Sequence, residues 1–354
     1  MRIKNGCMYK KSARIYVTHL RVNQSLNITD DGHNYTKTKT RYYRAALLGL
    51  RRAVAAWVGE SARLPSTPFF VLQLGDLVDG HATSTALGSE ESLARVLQEF
   101  DPLAHCSVHH CLGNHELYNF PSRAFWTNHL ACFRDQQQQQ PSPAFPGAPT
   151  PPRNSCYYAF SPHPRFCFVN LDTYDVSVLG SAPDSQERAE AEAYLRRNPN
   201  EDRNSPLGLE GLDKRFVLFG GGVGARQLAW LRATLLAVRG AGCEHVVVFS
   251  HIPLHPDACK PDCLLWNYAD VLEVLEEHPG LVKLCLAGHS HEARAVRDEG
   301  SGIVYYTLDA PLEQGPPDGD GFSTACAYAD RIEIDGQGAN KSVVCKFSIR
   351  GSVS

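Results

Sequence analysis

The sequence predicts an α/β layered domain, and three observations carry that reading. Short apolar runs alternate with amphipathic helical stretches along most of the 354 residues. Hydrophobic residues make up 43%, enough to bury a sizeable core in one large domain or two ordinary ones. Four short polar motifs each follow an apolar run, the place where an open α/β sheet gathers ligand groups.

From the N-terminus, the first 29 residues hold no Asp or Glu but six basic residues: Arg2, Lys4, Lys10, Lys11, Arg14 and Arg21. This gives slight transit-peptide character without the apolar h-region of a secretory signal. Cytosol is the expected location, with mitochondrial targeting as the minor alternative. We read residues 1–29 as a divergent N-terminal segment and 30–354 as one domain. Within the former, Ile15-Tyr16-Val17 could still form a strand ending in Thr18-His19.

Residues 41–58 read as a helix, because Leu47, Leu50, Val54 and Trp57 recur at spacings of three and four. Pro65 and Pro68 break that pattern, and the apolar run 69–74 reads as a buried strand. Strand-like runs follow at 106–112, 166–171, 245–249, 281–286 and 303–308, separated by helical stretches at 90–100, 227–238 and 268–277. Residues 135–153, with Gln136 to Gln140 and a run of prolines, are too polar to order themselves and read as a surface loop. Residues 326–334 and 342–349, around Asp335-Gly336-Gln337-Gly338, predict a β-hairpin.

Composition excludes several function classes. A net charge of -3 gives no nucleic-acid footprint. No apolar run approaches the roughly 20 residues of a membrane span. The 12 cysteines are scattered, without Cys-x-x-Cys, and several lie in apolar runs, so reduced thiols are expected rather than a disulfide framework. There is no Gly-x-Ser-x-Gly elbow. Gly220-Gly221-Gly222-Val223-Gly224 lacks the Gly-Lys-Ser/Thr ending of a phosphate loop and reads as a loop-to-helix turn.

The motifs are Gly75-Asp76-Leu77-Val78-Asp79, Gly113-Asn114-His115-Glu116, Ser250-His251 and Gly288-His289-Ser290-His291. Their oxygen and imidazole donors, free of thiolates, suit Mn, Mg, Fe or Zn. Two such ions about 3.5–4 Å apart can acidify a water for attack on phosphorus. Asp76 is the candidate bridging carboxylate, and His115 the candidate proton donor to the leaving oxygen. Asp79 and Glu116 read as groups that orient those residues. Each motif alone is weak; the ordered set at strand ends is strong.

That set resembles the calcineurin-like metallophosphoesterase superfamily. Further matches at Arg41-Tyr42-Tyr43-Arg44, Asp172 to Gly180, Asn204-Ser205-Pro206, Ser250-His251-Ile252-Pro253 and Trp266-Asn267-Tyr268 point to a nucleotide-diphosphatase branch of it. The resemblance covers roughly residues 30–354. It implies a four-layer αββα sandwich and a hydrolase of the diphosphate bond in ADP-ribose and CDP-alcohols. It implies two divalent ions, Mn²⁺ first and Mg²⁺ as the alternative, and a monomer with small nucleotide substrates, no nucleic acid and no membrane. By the same resemblance Asp76 bridges the ions, Asn114, His251 and His289 hold one of them, and His291 holds the other. Tyr35 matches a position where an aromatic could stack on the nucleobase, and Cys263 another pocket position. An exposed loop aromatic and a plain buried thiol carry equal weight for those two. Protein phosphatases of the superfamily place Arg directly after the second Asp of Gly-Asp-x-x-Asp; here Gly80-His81 follows, which disfavours a phosphoprotein substrate.

One part of the pattern is missing. The family's first strand ends in Asp-x-Gln or Asp-x-His, whereas residues 20–29 here hold no carboxylate. Asp31-x-His33 follows a polar stretch and reads as a decoy; His19 is a conceivable substitute ligand. The first strand is therefore expected to be altered, leaving the second ion only Asp76 and His291. This gap supports one alternative, a catalytically impaired or dead isoform acting as a binding protein; another small-molecule phosphoesterase is a separate alternative within the enzyme class.

Overall fold

The computed structural model describes residues 13–18, 31–34, 36–63, 69–84, 88–103, 106–133, 147–315 and 321–347. In chain order the strands are β1 (Ala13–Thr18), β2 (Asp31–His33), β3 (Thr40–Tyr42), β4 (Phe69–Gln73), β5 (Ser107–His110), β6 (Tyr158–His163), β7 (Phe166–Leu171), β8 (His245–Ser250), β9 (Val282–Ala287), β10 (Arg294–Arg297), β11 (Val304–Thr307), β12 (Phe322–Ala327), β13 (Arg331–Gly336) and β14 (Val343–Lys346). The helices are α1 (Tyr43–Arg63), α2 (Gly88–Gln98), α3 (Asn114–Asn119), α4 (Arg123–His129), α5 (Gln186–Leu195), α6 (Ala225–Gly240) and α7 (Tyr268–Glu276).

Two mixed six-stranded sheets result. The first runs β14-β13-β12-β1-β4-β5 and the second β10-β11-β9-β8-β7-β6; β2 and β3 form a separate ribbon. In the first, β1, β4 and β5 are parallel. In the second, β7, β8, β9 and β11 are parallel. Parallel strands are covered on both faces and read as unbroken apolar runs. β7 and β8 are buried at every position.

The sheets stack through aromatic rings. Phe70 of β4 meets Phe168 of β7 at a centroid distance of 4.9 Å and Phe160 of β6 at 5.3 Å. Helix α1 lays Leu47, Leu50, Val54 and Trp57 against the first sheet, with Trp57 edge-on to Phe322 at 5.6 Å. Truncating Trp57 to alanine would cost about 3–5 kcal/mol. Helices α6 and α7 bury Trp230, Leu231, Leu235, Val271 and Val274 in the same core. The order is helices, sheet, sheet, helices, the αββα sandwich.

Strand β1 lies in the stretch read as a divergent N-terminal segment, yet it pairs with both β12 and β4 and contributes a central strand to the first sheet. Its sequence continues as Thr18-His19-Leu20-Arg21, with no carboxylate at the strand's end. His19 lies outside the described residues. The expected C-terminal hairpin needs correction. Residues 326–334 are not one strand: β12 ends at Ala327, a turn follows, and β13 starts at Arg331, giving a three-stranded meander with β14. The turn carries no Gly or Pro to mark it. All eleven described cysteines are free. Among the described residues, no helix is long and apolar enough to cross a membrane.

Candidate metal centre

Four strands deliver the motifs to one rim. Asp76 follows β4, Asn114 follows β5, His251 follows β8, and His289 and His291 follow β9. The turns there are strained. Asp76, His289 and His291 have φ of 60°, 63° and 52°, three of the five positive-φ non-glycine residues described. The left-handed region costs such residues of order 1–3 kcal/mol and persists at functional sites that hold it in place. Gly75, at φ 89°, cannot be anything larger: a Cβ there would lie 2.4 Å from His251 Nδ1.

The side chains then converge. His251 Nε2 is 3.2 Å from Asn114 Oδ1, 3.1 Å from His289 Nδ1 and 3.5 Å from Asp76 Oδ1. Asp76 and His251 are fully buried. His251 Nδ1 is 2.6 Å from the carbonyl of Leu74. A carbonyl can only accept, so Nδ1 donates and Nε2 presents a lone pair to the cluster. Asn114 Oδ1 accepts the Tyr174 hydroxyl at 3.3 Å, and a carboxylate has no proton to give. His251 Nε2, Asn114 Oδ1 and Asp76 Oδ1 therefore turn lone pairs toward one another, an arrangement that a positive charge between them makes favourable; His289 Nδ1 meets the His251 lone pair at 3.1 Å. Ligands about 2.1 Å from a divalent ion lie about 3.0–3.4 Å apart in octahedral or tetrahedral geometry, the spacing seen here. The donor set fits a hard or borderline divalent cation.

Glu116 locks the two motif loops together. Its carboxylate accepts backbone N–H groups of Asp76 (2.7 Å), Leu77 (2.5 Å) and Gly113 (2.7 Å). Burial, with the charge of Asp76 beside it, pushes the Glu116 carboxyl up to about 8, while the three N–H donors pull the other way. Asp76 Oδ1 also accepts the backbone N–H of His115 at 3.1 Å.

His115 Nδ1 accepts the N–H of Gly80 at 2.6 Å, which places its ring proton on Nε2. Asp79 Oδ2 lies 3.7 Å from that Nδ1 and is held by Arg41 Nη1 at 2.9 Å in a buried ion pair. His291 is held differently. Its Nδ1 is 2.9 Å from Glu313 Oε1, and Lys39 Nζ is 2.7 Å from Glu313 Oε2. Burial would raise the Glu313 carboxyl, but the bonds from His291 and Lys39 hold it down at about 2.

Of the residues expected from sequence, Asp76, Asn114, His251 and His289 form the cluster, and His115 joins through its backbone. Cys263 is only part-exposed; its thiol, pushed well up by burial, lies 3.8 Å from Asp262 Oδ1. Tyr35 lies outside the described residues. His33 is exposed on the β2–β3 ribbon. Sequence reasoning missed Arg41, Tyr174 and Glu313. Arg41 and Tyr174 stood within matched segments, but nothing in their local sequence marked their partners; Glu313 carried no motif. Phe219, whose ring centroid is 5.7 Å from that of His289, was also unmarked.

The calcineurin-like phosphoesterase family model matches residues 47–293. A relative from Xenopus laevis named manganese-dependent ADP-ribose/CDP-alcohol diphosphatase is 39% identical over 87% of this chain and 84% of its own length. One of the same name from Homo sapiens is 38% identical over 87% of this chain and 86% of its own. Among solved structures, a dimetal phosphatase from Danio rerio, 34% identical, superimposes with a TM-score of 0.81 over 96% of this chain and 100% of its own.

Proposed function

The chain belongs to the calcineurin-like phosphoesterase family, and from that premise we propose that it is a manganese-dependent hydrolase of the diphosphate bond in ADP-ribose and CDP-alcohols. CDP-choline, CDP-ethanolamine and CDP-glycerol are the CDP-alcohols meant, and the products include AMP or CMP. The observation that carries the reading is the convergence of His251 Nε2, His289 Nδ1, Asn114 Oδ1 and Asp76 Oδ1 within 3.1–3.5 Å of the first.

In this reading Asn114, His251 and His289 would hold one ion and His291 the second, with Asp76 available to both. Bound divalent ions supply charge to the phosphate oxygens and lower the pKa of a water that attacks phosphorus. The chain's own groups supply order. Leu74 fixes the His251 tautomer, Tyr174 orients the Asn114 amide, and Glu116 clamps the turn that bears Asp76. These bonds position the donors before substrate arrives, which lowers reorganisation during reaction.

His115 offers its Nε2 proton to the leaving oxygen. Because Nδ1 accepts from Gly80, the ring is neutral and a weak acid. That suits a diphosphate: the departing group is a phosphate monoester, whose second pKa of about 6 needs little help from an acid. Binding rather than full protonation is what His115 contributes.

The test is turnover of ADP-ribose and CDP-choline by the purified chain with and without MnCl₂, followed by release of AMP and CMP. Release that depends on Mn²⁺ and is lost in Asp76→Ala is expected. Equal release without divalent metal, or an active Asp76→Ala, would overturn the reading.

A further inference from the structure

Glu313 lies on a short 3₁₀ turn, Pro311–Glu313, that follows β11. The turn is not loose: Ala310 and Leu312 pack with Tyr43 of α1 in a small apolar cluster. It delivers a carboxylate of which only 9% is exposed. One oxygen, Oε1, accepts His291 Nδ1 at 2.9 Å; the other, Oε2, accepts Lys39 Nζ at 2.7 Å. Lys39 belongs to the loop between β2 and β3, which Asn34 closes by accepting the N–H groups of Thr38 (2.8 Å) and Lys39 (3.0 Å). A single carboxylate thus connects a candidate metal ligand to the loop of the β2–β3 ribbon, which among the described residues pairs with neither six-stranded sheet.

We propose that Glu313 is a positioning residue that aims the His291 imidazole and at the same time docks the β2–β3 loop beside the metal centre. The inference rests on the reading of His291 as a metal ligand. Since a carboxylate only accepts, Nδ1 of His291 carries the proton and Nε2 is left as the donor atom toward a cation. The role matters more here than it would with a full ligand set, because the first strand supplies no carboxylate to that ion. An amide at 313 cannot do both jobs: Gln has one acceptor oxygen, and its NH₂ would confront either the His291 N–H or the Lys39 ammonium.

The test is calorimetric titration of MnCl₂ into the full chain and the variants Glu313→Ala, Glu313→Gln and Lys39→Met, with steady-state kinetics on ADP-ribose. Glu313→Ala is expected to weaken one Mn²⁺ site 10–100-fold and to raise KM. Lys39→Met is expected to raise KM while leaving Mn²⁺ affinity and kcat near those of the parent. Should Glu313→Ala fail to fold, Glu313→Gln is expected to lose at least one of the two properties. Unchanged Mn²⁺ affinity and KM in folded Glu313 variants would overturn the inference; so would parallel loss of thermal stability alone. If the parent chain itself binds no Mn²⁺, the underlying metal reading fails instead, and the two failures are told apart.

Discussion

His251 Nε2 and Asn114 Oδ1 face each other at 3.2 Å, and neither has a proton to offer the other. His251 has spent its N–H on the Leu74 carbonyl, and the Asn114 amide oxygen carries no proton; the Tyr174 hydroxyl reaches that oxygen at 3.3 Å and the Phe219 carbonyl at 3.2 Å. Two lone pairs held at that distance in a buried site repel, and a cation between them would turn the repulsion into attraction.

Divalent metal should therefore stabilise the chain and chelator should destabilise it. A cation that binds only the folded state adds about 2.7 kcal/mol at 100 times its Kd. Thermal unfolding with MnCl₂ and with EDTA should differ by several degrees. Coincident curves at millimolar MnCl₂ would count against a metal site.

Gly75→Ala should damage the site more than its size suggests. The new Cβ would lie 2.4 Å from His251 Nδ1, on a residue with φ 89°. Loss of roughly 2 kcal/mol or more in unfolding free energy is expected, with weakened Mn²⁺ binding. A variant with parental stability and affinity would show that the turn can be rebuilt.

His115→Ala should lower kcat on ADP-ribose by about 100-fold, the low end for an acid catalyst, because the leaving phosphate is already a good one. Mn²⁺ content should stay near the parental value, since the backbone N–H of His115, which bonds Asp76 at 3.1 Å, survives the substitution. Loss of both ions would contradict a role at the leaving group.

Acid should destabilise the fold through β5. Burial lowers His109 and His110 from 6.5 to about 3. The unfolded chain then binds more protons than the folded one below pH 6.5, so stability falls as pH drops from 6.5 toward 3. Each histidine contributes up to about 1.4 kcal/mol per pH unit in that window. Urea midpoints between pH 7 and 5 should decline, and His110→Gln should flatten the decline. A steeper or unchanged slope in that variant would sink the assignment.

Much of this was legible in sequence for physical reasons. β7 could be read at residues 166–171 because a strand buried on both faces is apolar nearly throughout, here at every position but Asn170. The sharp turns at Asp76 and His289 were announced by the glycines before them. Helix α1 was visible from four apolar residues on one face. The triple acceptance by Glu116 was not, since two of its donors lie about 40 residues away and meet it only in the folded chain. Arg41–Asp79, Tyr174–Asn114 and Glu313–His291 escaped for the same reason. β1 was legible only as three apolar residues, too short a run to fix a strand, and its place between β12 and β4 comes from pairing across the sheet.

The proposed two-ion centre has to assemble without a carboxylate from the first strand. Manganese bound per folded chain, counted by equilibrium dialysis against MnCl₂ with elemental analysis, tests it most directly. Two ions per chain, both lost in His251→Ala combined with His291→Ala, is the expected result. One ion or none in the folded parental chain would contradict the claim.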